Sequence, residues 1–113
     1  MDLGLKKFNK KIDYFLKIDR KNPPSELKNT AAFWRGSRIL IRNALIAAVN
    51  LNKTEYFDLV TKKLDDNSPI IRFYAVWASA ELDLAGAVPL LKECYKSEKD
   101  SRVKKEINKY LNK

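Results

Sequence analysis

The feature that most constrains this chain is an internal echo. Ile41-Arg42, Ile71-Arg72 and Val103-Lys104 recur at spacings of 30 and then 32 residues. Three residues after each basic position stands an apolar one, Leu45, Ala75 or Ile107. Six and seven residues after it stand Ala48/Val49, Ala78/Ser79 and Tyr110/Leu111. The intervening segments match as well, with Phe57, Val60 and Leu64 in one and Val88, Leu91 and Tyr95 in the next. Spacings of three and four are those of one helix face. A period near 31 residues is that of a helical hairpin, which has to stack on a neighbour to bury its apolar side. The expected fold is therefore all-α, an alpha-solenoid of about two to three stacked hairpins.

The rest of the chain falls into place around that repeat. Leu5, Phe8, Ile12, Phe15 and Leu16 form an apolar stripe that ends at Asn22-Pro23-Pro24. Ser25 then caps a short segment reaching Trp34, and Gly36 interrupts the pattern. Further helices are expected at roughly 38–50, 54–65, 69–84, 86–97 and 101–111, with Thr54 and Ser68 as N-caps and Pro69 in a first turn. We divide the single domain into a helical cap over about 1–35, repeats over about 37–66 and 67–98, and a terminal helix at 101–111. Ala75 and Ala78 suit close approach of neighbouring helices. Arg72, early in its helix, is placed to reach carboxylates or carbonyls in the inter-repeat turns, where Asp65, Asp66 and Glu98 lie. Arg42 has the same option.

Composition removes most chemistry. The 113 residues include no histidine, the commonest general base and metal ligand. Cys94 is the only cysteine, so neither a disulfide framework nor a cysteine-held metal is available, and a reducing, cytoplasmic setting is expected. With three glycines there is no phosphate-binding glycine loop. The longest apolar runs are too short to cross a bilayer. The reading assigns no catalytic residue, no metal and no cofactor to this chain.

Charge points instead to binding. The net charge is +9, and residues 1–42 hold 11 Lys/Arg against 4 Asp/Glu, whereas residues 43–113 hold 12 against 10. A polarised basic surface fits a polyanion, although solubility or coding bias leaves the same composition. The basic N-terminal part contains Lys6, Lys7, Lys10, Lys11, Lys17, Arg20 and Lys21, of which Lys6, Lys10 and Lys17 share a polar flank. The second candidate is "WRGSRILIRN", Trp34 to Asn43, where Arg35, Arg38 and Arg42 concentrate half of the chain's six arginines. Their guanidinium forks match phosphates and carboxylates, and Gly36 near a helix start adds free backbone N–H groups. Inter-helix salt bridges around a buried Trp34 are the alternative. Phe73 and Trp77 lie four apart on a flank, where they either pack on the next repeat or offer a surface to a base or a protein partner.

Two stretches also carry a family likeness. "NSPIIRFYAVWASAEL", Asn67 to Leu82, resembles HEAT repeats of the phycobilisome-lyase type. "FWRGSRILIRNALIAAVNLN", Phe33 to Asn52, followed by that unit, resembles the C-terminal repeat region of epoxyqueuosine reductases. Arg35, Gly36, Ser37, Arg42, Asn43, Ala44, Asn50, Ser68, Pro69, Arg72, Ala75, Trp77 and Ala78 match in character and order. The resemblance implies a HEAT-like module that helps engage the anticodon arm of tRNA, with Arg35, Arg38 and Arg42 as phosphate contacts. In that family the whole enzyme reduces epoxyqueuosine to queuosine at the wobble position, using cobalamin and two four-iron clusters. The cobalamin domain and the cluster cysteines are absent from this sequence, so reductase activity would require a separate catalytic chain. Two further departures are the short basic stretch before Ile39 and Val49 in place of a glycine. The expectation is a non-catalytic module contacting tRNA or other nucleic-acid phosphates, as a split-off or remnant tail of a tRNA-modifying reductase; the other reading is a protein–protein interaction or assembly scaffold.

Overall fold

The computed structural model describes residues 11–23 and 25–112. A first helix, α1, covers residues 11–16 of the described part. It is followed by α2 (Ala31–Asn50), α3 (Phe57–Thr61), α4 (Pro69–Leu82), α5 (Leu84–Ser97) and α6 (Ser101–Leu111). No strand occurs among the described residues. Helices α2, α4 and α6 pack side by side, and α3 and α5 pack across them. The molecule is a slab of 39 × 38 × 19 Å, about two helix diameters thick, as stacked hairpins require. The fold is an all-α solenoid.

The echoed positions of α2, α4 and α6 supply the heart of the core, whereas Tyr95, which echoes Leu64, is exposed. Ile41, Ile71 and Val103 are fully buried, as are Leu45, Ala75 and Ile107, and Ala48 and Ala78 follow them. Alanine at 75 and 78 lets the central helix α4 accept neighbours on several sides. Ile12 and Leu16 of α1 are buried in the same core. Among the described residues no helix is long and apolar enough to cross a membrane.

Several local expectations are corrected. Helix α2 starts at Ala31, because Thr30 caps it: its backbone is extended and its Oγ1 accepts the Phe33 N–H at 3.2 Å. Gly36 therefore lies inside the helix, where its N–H belongs to the helical ladder and offers nothing to an anion. The segment expected at 54–65 is a five-residue α-turn between two 3-10 turns, Thr54–Tyr56 and Lys62–Asp65, and Thr54 makes no side-chain cap. Val60 and Thr61 are β-branched and poor helix formers, and Lys63 turns inward so that its ammonium donates to the Ile18 carbonyl. Ser68 occupies the N-cap of α4 without a capping hydrogen bond, and Pro69 opens that helix. The sharp stop after α2 comes from Asn52, which takes the left-handed conformation at φ 51°. Val49, where a glycine was expected, stays helical.

Gly36 supplies a prediction. A Cβ added there meets no atom within 4 Å, and the position is a helix interior. Gly36→Ala therefore raises stability by about 0.5–1 kcal/mol. Urea denaturation checks this, and an unchanged or lower midpoint contradicts the open environment.

Candidate nucleic-acid interface

The arginines sort into two groups, and the sorting begins in the turns. Between α3 and α4 the Asp66 carboxylate accepts the Ser68 N–H at 2.8 Å. Between α5 and α6 the Glu98 carboxylate accepts the Asp100 N–H at 3.0 Å. Each acid thus stands two residues before a helix N-cap and holds the turn from inside, and both are buried. Buried carboxylates demand cationic partners. Asp66 receives the Arg20 guanidinium, and Glu98 receives Arg72 through two parallel bonds of 2.8 and 2.9 Å. Arg72 also donates to the Asp66 carbonyl at 2.9 Å. One connected network therefore runs Arg20–Asp66–Arg72–Glu98 across two repeat junctions.

Arg20 is the largest surprise in this network. It belongs by sequence to the basic N-terminal set, yet it is only 5% exposed. Besides Asp66 it bonds Ser37 Oγ at 3.1 Å and Asn67 Oδ1 at 2.9 Å, and it lies 5.2 Å over the Trp34 ring. Its charge is used within the fold. The recurring pattern of an acid two residues before the N-cap, at 66/68 and again at 98/100, is the sequence signal that could have revealed it.

Burial by itself raises the Glu98 carboxyl, but hydrogen bonds from Arg72 and from the Asp100 and Lys99 backbone outweigh it, and the net shift is downward. The same pairing raises Arg72. Burial also lowers Lys63 and raises the Cys94 thiol, which disfavours the thiolate a nucleophile needs. Tyr110 is pushed up to about 12 by burial and by the neighbouring Glu106. No group of three or more metal-ligating side chains occurs among the described residues.

The second group of arginines lies on α2. Arg35, Arg38 and Arg42 follow a 3-then-4 spacing, which puts them within about 60° of one another on the helix cylinder. Arg42 donates to the neighbouring Asn43 side chain at 3.2 and 3.4 Å. Among the described residues, none of the three has a carboxylate partner, whereas Arg20, Arg72 and Arg102 each do. The basic stripe is thus the unneutralised part of the arginine inventory.

Lys17 does not join it. Helix α1 meets α2 across a cavity lined by Tyr14 and Ile18 on one side and Phe33, Gly36 and Leu40 on the other. Those α2 positions lie about half a turn from the arginine stripe. Lys17 itself is exposed and 3.5 Å from Asp13. Lys6, Lys7 and Lys10 lie outside the described residues. Lys21 pairs with Asp65.

Phe73 and Trp77 are half-buried against the core. Tyr74 joins them, its ring 5.5 Å from Phe73 and 6.3 Å from Trp77 in edge-on geometry. More exposed are Ile39 and Leu40 on α2 and Ile70 on α4, which repeat one another at the 30-residue spacing between Leu40 and Ile70.

A model of HEAT repeats matches residues 13–112. The chain belongs to the HEAT-repeat family. Its similar proteins include an uncharacterised protein encoded in the gldA 3′ region of Geobacillus stearothermophilus, 31% identical over 100 residues. That match covers 88% of this chain and 46% of the relative. They also include the epoxyqueuosine reductase of Bacillus cereus, 32% identical over 79 residues, or 69% of this chain and 21% of that enzyme. A crystal structure of epoxyqueuosine reductase with an epoxyqueuosine-modified tRNA-Tyr stem loop superposes with a TM-score of 0.68 at 26% identity. It covers 89% of this chain and 27% of that one, and a selenomethionine-labelled crystal of epoxyqueuosine reductase gives 0.67. These HEAT repeats are homologous to a portion of epoxyqueuosine reductase, and they span less than half the length of the relatives they match.

The two arginine groups should respond oppositely to mutation. Arg20→Ala leaves Asp66 buried without its cation and costs about 3–5 kcal/mol, and Arg72→Ala costs about 3 kcal/mol. Arg35→Gln and Arg38→Gln stay within about 0.5 kcal/mol of the parent. Denaturant titration separates the two sets. The pH dependence follows from the downward shift of Glu98: its contribution is complete above its ordinary value of 4.5 and fades as pH falls through the lower folded value. Glu98→Gln removes that part of the acid sensitivity; an unchanged pH profile contradicts the pairing.

Proposed function

We propose that this chain is a non-catalytic HEAT-repeat module that binds the phosphate backbone of tRNA through Arg35, Arg38 and Arg42. The observation that carries the reading is the arginine stripe of α2, which lacks carboxylate partners among the described residues while the other three arginines are paired inside or along the fold. Three guanidinium groups on one helix flank present fixed forks at the spacing of a helical turn, suited to successive phosphates. The net charge of +9 supplies attraction at longer range. Homology to a portion of a reductase whose relative crystallised with a tRNA stem loop supports tRNA over other polyanions. Reduction of epoxyqueuosine belongs in this proposal to a separate catalytic chain, beside which the module presents the RNA.

The alternative occupant is a protein, and the exposed Ile39 (45%) beside the stripe is what favours it. Phosphate contact and apolar docking differ in salt dependence. A tRNA anticodon stem loop titrated across salt concentrations should bind the Arg38→Gln/Arg42→Gln variant about 10-fold more weakly near physiological salt. The slope of log affinity against log salt should fall by about 2. Lys17→Gln should change neither quantity by a comparable amount. Unchanged affinity and slope in the double variant would sink the assignment.

A further inference from the structure

The RNA reading leaves unused a cleft between the N-terminal turns of α4 and α6. It is lined by Pro69, Ile70, Phe73, Tyr74 and Arg102 and has a volume of about 200 Å³. We propose that this cleft receives one unstacked nucleobase of the bound RNA, so that the module recognises loop rather than duplex. The proposal rests on the RNA-binding reading and adds a second, base-directed contact to it.

Size argues for a single ring system. A closed apolar cavity of about 150 Å³ accommodates benzene, so this cleft suits one planar base. A protein partner instead needs about 800 Å² of contact per side, far more than five residues present. The lining suits a base as well. Phe73 and Tyr74 stand edge-on to each other, their centroids 5.5 Å apart, and supply aromatic surface. Ile70, 38% exposed, supplies an apolar wall that the fold leaves open to solvent. Bases of any sequence gain from such surfaces because each carries a π-face.

Hydrogen-bond donors at the rim favour a nucleotide over a neutral apolar ligand. The Arg102 side chain is 70% exposed and donates to Asp100 through Nη2 at 3.2 Å and Nε at 3.4 Å, which leaves Nη1 open. Its remaining donors are free to meet the phosphate attached to an inserted base, and a guanidinium plane stacks on bases. Pro69 and Ile70 open α4, whose N-cap Ser68 makes no side-chain bond, whereas the Asp100 carboxylate caps α6 beside Arg102, so the open positive helix end at the cleft is that of α4. The polar atoms of the cleft thus suit an anion and its apolar atoms suit a ring, the combination a nucleotide offers.

The test compares two RNA probes, a stem loop and a blunt duplex of the same stem, against the full chain and three variants. Ile70→Asp places a carboxylate at the cleft wall, and Arg102→Gln removes the rim guanidinium; both positions are exposed, and circular dichroism checks the fold. Each is expected to weaken stem-loop binding about 10-fold while leaving duplex binding within about 2-fold. Arg38→Gln should weaken both probes alike. If Ile70→Asp and Arg102→Gln leave the stem loop unaffected, or weaken both probes equally, the base pocket is refuted while Arg38 still reports on the phosphate stripe. A seated protein partner in place of the base gives the first of those outcomes. If the unmodified chain binds neither probe, the RNA reading falls and the pocket falls with it.

Discussion

The solenoid depends on how it handles two buried carboxylates. Asp66 and Glu98 close the inter-repeat turns by accepting backbone N–H groups, which places negative charge in the packed junctions. Such charge is tolerated only when it is matched with good geometry. Arg20 and Arg72 supply that match, and Arg72 ties the two junctions together by also reaching the Asp66 carbonyl. Arg20 comes from the segment after α1, so the same interaction that holds the first junction also docks the N-terminal helix onto α2 through Ser37 and Trp34. The apolar echoes at 41, 71 and 103 then pack in register because the turns between them are fixed.

This demand for internal partners sorts the arginines, while lysines such as Lys28, Lys62, Lys92 and Lys105 stay exposed. Arg20 and Arg72 are committed to the junctions, Lys63 to the Ile18 carbonyl, and Lys21 and Lys17 to nearby aspartates. What remains on α2 is the stripe of Arg35, Arg38 and Arg42. Net charge alone therefore describes long-range attraction, whereas the pairing pattern decides which guanidinium donors are left free of carboxylates among the described residues, those of the α2 stripe and one edge only of Arg102.

Much of the architecture was legible in the sequence because it rests on periodicity. Ile41, Ile71 and Val103, with Leu45, Ala75 and Ile107, are buried through spacing rules that a single strand of text carries. Local chemistry was less legible. Gly36 reads as a break, but Thr30 caps α2 six residues earlier and the surrounding helix overrides one residue's preference. The segment at 54–65 reads as a regular helix, and its 3-10 turns come from β-branched residues and an inward lysine that pattern counting does not weigh. Least legible was Arg20, whose partner Asp66 lies 46 residues away. The acids repeat at 66 and 98, but the arginine that meets the first comes from outside the repeat, so a lysine-rich neighbourhood hid it. The division of α2 into an arginine flank and an α1-facing flank follows from helix geometry, but which flank meets α1 required the packed structure.

We propose that Arg35, Arg38 and Arg42 face the ligand, whereas Arg20 and Arg72 serve the fold. Arginine-selective modification with phenylglyoxal, mapped by mass spectrometry with and without a tRNA stem loop, tests it most directly. The account predicts that Arg35, Arg38 and Arg42 react in the free protein and are protected by the RNA, while Arg20 and Arg72 stay unreactive in both states. Rapid modification of Arg20 in the folded protein, or an α2 stripe that reacts equally with and without RNA, would contradict it.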